Sequence, residues 1–111
     1  MYEEEARLPT HLWLEAKIRE LMSEGLPVYV AHKGEKTGGL VLLKISDMAG
    51  RCRLLTQQRD LEGVLGWENA RGSDVVEEED ADSYIRRSIE RDPDLWVVEI
   101  EDREMRNPFA C

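Results

Sequence analysis

The sequence predicts an α+β fold in the order α-β-β-β-β-α-β, a mainly antiparallel sheet with two helices packed on one of its faces. Three observations lead there. Apolar residues recur at helical spacing in two separate stretches, near residues 9–24 and 74–91. Between them lie β-rich segments joined by turns too short to hold a crossover helix. After the second stretch comes one more strand-like run, Leu95 to Glu101. With 111 residues the chain makes a single domain over 1–111, with residues 1–7 and 104–111 as flexible or loosely packed ends.

The first helix spans Pro9 to Glu24. Leu14, Ile18 and Leu21 recur at i, i+4 and i+7, Pro9 and Thr10 suit its first turn, and Gly25 followed by Pro27 is a stop signal. Pro27–Lys33 is the first strand, and Glu35 to Gly39 reads as a hairpin loop whose paired glycines supply positive φ. Leu40–Ser46 and Arg51–Gln57 form the next two strands around the turn Asp47-Met48-Ala49-Gly50, and Gly63–Ala70 a weaker fourth. Asp74 with Glu77 resembles a capping box for the second helix, whose stripe is Ala81, Tyr84, Ile85, Ser88 and Ile89. Pro93 ends it, because proline disfavours helical geometry in the residue before it.

Alternation assigns one sheet face to Val28, Val30, Val41, Leu43, Ile45, Cys52, Leu54, Leu65, Trp67, Trp96, Val98 and Ile100, all meeting both helices. The opposite face then presents Tyr29, Ala31, Leu42, Lys44, Arg53, Leu55, Val97, Glu99 and Glu101. A solvated face should be mostly polar, and this one is a mixture. It therefore calls for cover, either by the tail around Met105 and Phe109 or by a second copy of the chain.

Charge is unevenly distributed within a formal total of -9. Residues 1–59 net +1 and residues 60–111 net -10. Such acidity disfavours nonspecific nucleic-acid binding, yet Lys33, Lys36, Lys44, Arg51, Arg53 and Arg59 make the middle strands locally basic. Cross-strand pairing with the acidic last strand accounts for them more simply than an anion site does. The chain has two cysteines. Cys52 reads as a small buried hydrophobe and Cys111 as a thiol near a frayed end; neither has a CxxC partner, so no metal site is expected. The start Met1-Tyr2-Glu3-Glu4-Glu5 is acidic where a secretory signal is basic and then apolar, and no run is long enough to span a membrane, so the expected setting is cytoplasmic.

Positive signals for chemistry are few. Glu77-Glu78-Glu79-Asp80 with Asp82 could chelate a cation, but acids at a helix start and Arg86, Arg87 and Arg91 toward its end are ordinary dipole complementarity. His11 and His32 are the only imidazoles; His11 with Trp13 is the better of the two site ideas, and catalysis would need a carboxylate within reach. Gly38-Gly39 joins two strands and is not a phosphate loop. Pro93-Asp94 followed by Glu99-Ile100-Glu101 lacks the lysine of a magnesium nuclease motif. No cofactor is implied.

Two segments carry a family resemblance. Arg7-Leu8-Pro9-Thr10-His11-Leu12-Trp13 leading into a helix, and Asp92-Pro93-Asp94-Leu95-Trp96-Val97-Val98-Glu99-Ile100-Glu101-Asp102-Arg103, resemble the domain of unknown function 1491 family, short proteins from alphaproteobacteria. The resemblance covers residues 7–103 and the second segment is the more specific. It implies a stand-alone bacterial cytoplasmic protein and makes the Trp13 and Trp96 regions family features. The family has no assigned activity, so the resemblance implies no catalytic residue, cofactor or substrate.

The expectation is thus a non-enzymatic protein acting by protein contact, as a homodimer or with another protein, through Tyr29, Leu42, Lys44, Arg53, Leu55, Val97 and Glu99. Two other readings compete: an anion or single-stranded nucleic-acid binder using Lys44, Arg51 and Arg53, and a small enzyme using His11 or His32 with a carboxylate.

Overall fold

The computed structural model describes residues 9–59 and 61–109. Expectations about the segment 1–7 and Cys111 fall outside them. Helix α1 runs Thr10–Ser23, followed by β1 (Val28–His32), β2 (Val41–Ser46), β3 (Arg51–Arg59), β4 (Leu65–Asn69), a two-residue β5 (Val76–Glu77), α2 (Glu78–Arg91) and β6 (Trp96–Glu101). The class and element order are those expected, with β5 as an addition.

Helix α1 ends as its sequence dictates. Gly25 takes φ 91°, its N–H donates to Met22 O at 3.0 Å, and Leu26 N–H donates to Leu21 O at 3.1 Å. This is a Schellman closure, with Leu21 and Leu26 joining the same apolar cluster behind it. Helix α2 starts differently from expectation. Asp74 does not cap it, because its carboxylate accepts from Asn69 Nδ2 at 2.8 Å and closes the turn after β4. Val76 and Glu77 pair instead with Cys52 and Arg51, so the chain is still extended where the capping box would begin. The helix opens on Glu78, with Glu79 and Asp80 in its first turn and Arg91 in its last, in keeping with its dipole.

The sheet order is β1-β6-β2-β3-β4, with β5 also on β3. Only the β2–β6 pair is parallel among those described. The expected meander begins at β2, because β6 inserts between β1 and β2. The loop from β1 to β2 therefore bridges over the start of β6 rather than closing a hairpin. Glu35 N–H donates to Asp94 O at 3.0 Å, Trp96 N–H to Leu40 O at 2.8 Å, and the Trp96 indole to Glu35 O at 2.8 Å. Gly34 and Gly39 serve close approach, not positive φ: a Cβ on either would collide with the Asp94 carbonyl.

The helices occupy opposite faces of the sheet, not one. Cross-strand register decides this, since residues directly opposite share a face. Leu43 faces Leu55 and Lys44 faces Leu54. Leu55 thus joins Leu43, Ile45, Val98 and Ile100 beneath α1. Cys52 and Leu54 go with Leu42 and Val97 to the other side, where Ala81 and Ile85 of α2 cover them. Every residue of β2 from Val41 to Ile45 is buried, as a strand sandwiched between two layers must be.

Candidate functional site

The mixed face proposed for association is mostly interior. Leu42 and Val97 lie under α2, while Leu55 lies under the α1 layer. Arg53 shares the α1 side, where its Nη1 donates to Met105 O at 3.0 Å. The tail supplies cover, as expected, but on the α1 face. Tyr29 remains 49% exposed, with Glu99 directly opposite it on β6.

Lys44 is a buried cation paired with two carboxylates of α2. It is 5% exposed, on the central strand, and its Nζ donates to Glu78 Oε2 at 2.9 Å and Asp82 Oδ1 at 2.8 Å. Desolvation pulls its pKa down, but hydrogen bonds to Asp82 and Glu78, and then the charges of Glu99 and Asp82, hold it above the ordinary lysine value. Lys44 therefore stays protonated and locks α2 to the sheet. The sequence carried a signal for this: one lysine in the apolar run of β2, and Glu78 and Asp82 one helical turn apart. Nearby, burial pushes the Cys52 thiol up to about 11.

The remaining basic candidates are also engaged within the chain. Arg51 Nε lies 3.7 Å from Glu77 Oε2, and Arg53 serves the tail. Lys44, Arg51 and Arg53 thus do not form an exposed anion-binding surface.

The two histidines are pins. His11 Nδ1 bonds Lys36 O at 3.1 Å, and His32 Nδ1 bonds Leu95 O at 2.8 Å, each ring N–H donating to a backbone carbonyl. Both bonds hold the segments around the β1–β2 bridge. No imidazole–carboxylate pair occurs among the described residues. Trp13 belongs elsewhere: its ring meets Phe109 edge-on at 6.3 Å, and Phe109 meets Trp67 at 6.0 Å. Sequence reasoning gave Trp67 to the core and Phe109 to a loose tail, and so missed this aromatic cluster. A shallow depression at Gly50 is lined by Glu77, Glu78, Glu79 and Asp80. Among the described residues no group of three His, Cys, Asp or Glu is arranged to hold a metal ion.

What remains accessible of the predicted set lies along β1. This strand ends the sheet, so its outer backbone edge has no partner strand among the described residues. Tyr29 and the 36% exposed Val30 project to its two sides. The charge of Glu101, followed by desolvation, Glu101 as acceptor for the phenol, and the charge of Glu99, raises the Tyr29 pKa. That makes the edge locally acidic. A register shift between Val30 and His32 bulges the strand and limits its regular part to Val28–Val30.

A family model described as "Protein of unknown function (DUF1491)" matches residues 8–110. The chain belongs to this family. DUF1491 structures share its fold. A crystal structure of a DUF1491 protein from Caulobacter crescentus CB15 superposes with a TM-score of 0.79 at 38% identity, covering 89% of this chain and 92% of that one. The NMR structure of a DUF1491 protein from the same organism gives 0.76 at 37%, covering 91% of each. The solution structure of protein Atu0922 from A. tumefaciens gives 0.69 at 27%, covering 86% of each. These sources agree with the alphaproteobacterial origin that the resemblance implied. No curated protein matches the chain. Among the described residues of this DUF1491 chain, no helix is long and apolar enough to cross a membrane.

Proposed function

We propose that this protein acts by binding another protein, without chemistry of its own, and that the contact is made at the free edge of β1. The observation that carries this reading is the combination of an open backbone edge, exposed Tyr29 and Val30, and the carboxylates of Glu99 and Glu101 beside the phenol. The chemistry fits an extended, basic segment. Its backbone would pair with Val28–Val30 while Lys or Arg side chains meet Glu99 and Glu101. The bulge beyond Val30 keeps the ladder short, so the contact is a transient one. Homodimerisation through this same edge is less favourable, since it sets acid against acid. A cytoplasmic setting, where the thiol pool keeps Cys52 the free thiol it is, belongs to the same proposal.

The test is a titration of the full chain with a Lys/Val-alternating hexapeptide, followed by amide chemical shifts. Shifts centred on Val28–Val30, weakened at least tenfold by the double variant Glu99→Lys/Glu101→Lys, support the reading. Absence of shifts at β1, or binding indifferent to charge reversal, removes it.

A further inference from the structure

Which sequence the β1 edge takes follows from its register. Residues directly opposite in a sheet share a face, and Tyr29, Glu99 and Lys44 stand opposite one another on β1, β6 and β2. Lys44 bonds to α2, so this row lies on the α2 face, and Glu101 joins it two residues on from Glu99. Val30 stands opposite Val98, which packs under α1, so Val30 looks to the other face. The backbone groups alternate as well. Glu101 N–H donates to Pro27 O at 3.1 Å. That makes Tyr29 and Glu99 the next hydrogen-bonded pair of the ladder and turns the N–H and C=O of Val28 and Val30 outward. Among the described residues no loop or tail backbone group bonds to these two valines. An added strand would pair its backbone with them and set one residue between, opposite Tyr29. That position carries no ladder bonds, and side chains approach most closely there. The acids beside it have no cation of their own. Lys44 donates to Glu78 and Asp82, and Glu99 and Glu101 make no salt bridge among the described residues. Both lie close enough to the Tyr29 phenol for their charges to raise its pKa, Glu101 the more strongly.

Resting on the β1 reading above, we propose that this edge selects an arginine opposite Tyr29, flanked by apolar residues opposite Val28 and Val30. Adjacent strands lie about 4.8 Å apart, so the strand that bears Glu99 and Glu101 is roughly 10 Å from the incoming one. A long side chain lying across the Tyr29 ring spans that gap, and a short one does not. A guanidinium stacks flat on a phenol and still donates in its own plane to the two carboxylates; an ammonium cannot do both. The flanking residues turn to the α1 face, where the exposed Val30 offers apolar contact. The bulge beyond Val30 ends the regular ladder, so recognition is confined to this one triplet.

Peptides that differ at one position test it. Acetylated Thr-Val-Xaa-Val-Thr amides, with arginine, lysine or citrulline as Xaa, are titrated into the full chain and followed by amide chemical shifts. The arginine peptide is expected to bind about fivefold tighter than the lysine peptide. Citrulline, similar in shape but uncharged, should be the weakest. The side-chain methylene signals of the bound arginine should move upfield in the ring current of Tyr29. Tyr29→Leu should abolish that movement and bring the arginine and lysine peptides to equal affinity, while Tyr29→Phe keeps both effects. Binding centred on Val28–Val30 that is equal for arginine and lysine, or that lacks the upfield movement, overturns the arginine assignment and leaves the β1 contact standing. Absence of shifts at β1 with every peptide removes both. If Tyr29→Leu fails to fold, the methylene signals with wild type decide alone.

Discussion

The two faces of the sheet are closed by different physics. On the α1 side Leu14, Leu21, Val41, Leu43, Ile45, Leu55, Trp96, Val98 and Ile100 form an apolar layer, finished at its rim by Trp13, Trp67 and Phe109. On the α2 side a smaller cluster of Leu42, Cys52, Leu54, Ala81, Ile85, Leu95 and Val97 sits beside the buried Lys44 and its two carboxylates. Apolar contact is non-directional and rewards area. A buried cation is directional, and it penalises any placement of α2 that leaves it unpaired. One face thus gains its stability from burial, while on the other a charge fixes where the helix must sit. The same contrast seats α2, whose Glu78 and Asp82 meet Lys44.

Substitutions can break this contrast, and the largest effect is expected on the apolar face. Trp96→Ala should cost roughly 3–5 kcal/mol in denaturant unfolding, because it opens a cavity and also removes the indole bond to Glu35 O. On the other face Lys44→Ala should cost about 3 kcal/mol. Lys44→Met should cost distinctly less, about 1 kcal/mol, since it refills the space and the side chains of Glu78 and Asp82 are 40% and 43% exposed and can rehydrate. Equal losses for Ala and Met would mean that the charge, not the volume, carries the whole effect.

Smaller effects are expected at the aromatic rim and around α2. Phe109→Ala should cost about 1–2 kcal/mol, the low end for an aromatic side chain because the ring is only partly buried, and should change tryptophan emission without loosening α2. Acid should act on the same rim. The hydrogen bond from Arg106, working against desolvation, holds the Asp102 carboxyl below its ordinary range. A depressed carboxyl contributes stability above its unfolded pKa of about 3.9, and that contribution disappears as pH falls through the folded value. Tail contacts read by tryptophan fluorescence should therefore weaken in that acid range. The lysine works in the opposite direction: its raised pKa contributes stability that is complete below about 10.4 and is lost only as alkali titrates the folded form. Cys52, pushed up to about 11 under α2, should resist a thiol reagent at neutral pH until the protein unfolds.

Much of the fold was legible because local signals agreed. Leu14, Ile18, Leu21 and Gly25 define α1 from spacing and stop signal alone, and Pro93 sets the end of α2. The face assignment was harder, and Leu54-Leu55 shows why. Two adjacent leucines put one apolar side chain on each face, so alternation along β3 does not say which face is inner; only its register with β2 does. The apolar run Leu40–Ile45, broken only by Lys44, was the available hint of two covered faces. Insertion of β6 between β1 and β2 was equally hidden, because a loop containing Gly34 and Gly39 looks the same whether it turns a hairpin or bridges a strand. For the candidate surface, burial removed Leu42, Leu55, Val97 and Lys44 and left Tyr29 with Glu99. Those two lie where the sheet ends, which alternation alone does not locate.

The position of β6 has a consequence for how the chain is made. Strands β1 and β2 are synthesised early, yet each keeps an unsatisfied edge until the strand that separates them has been translated, at a rate of roughly 5–20 residues per second. Ladders of such long sequence separation are slow to close. For that interval the nascent chain exposes a slot shaped for one particular strand, and the order of synthesis makes the last strand the keystone of the first two.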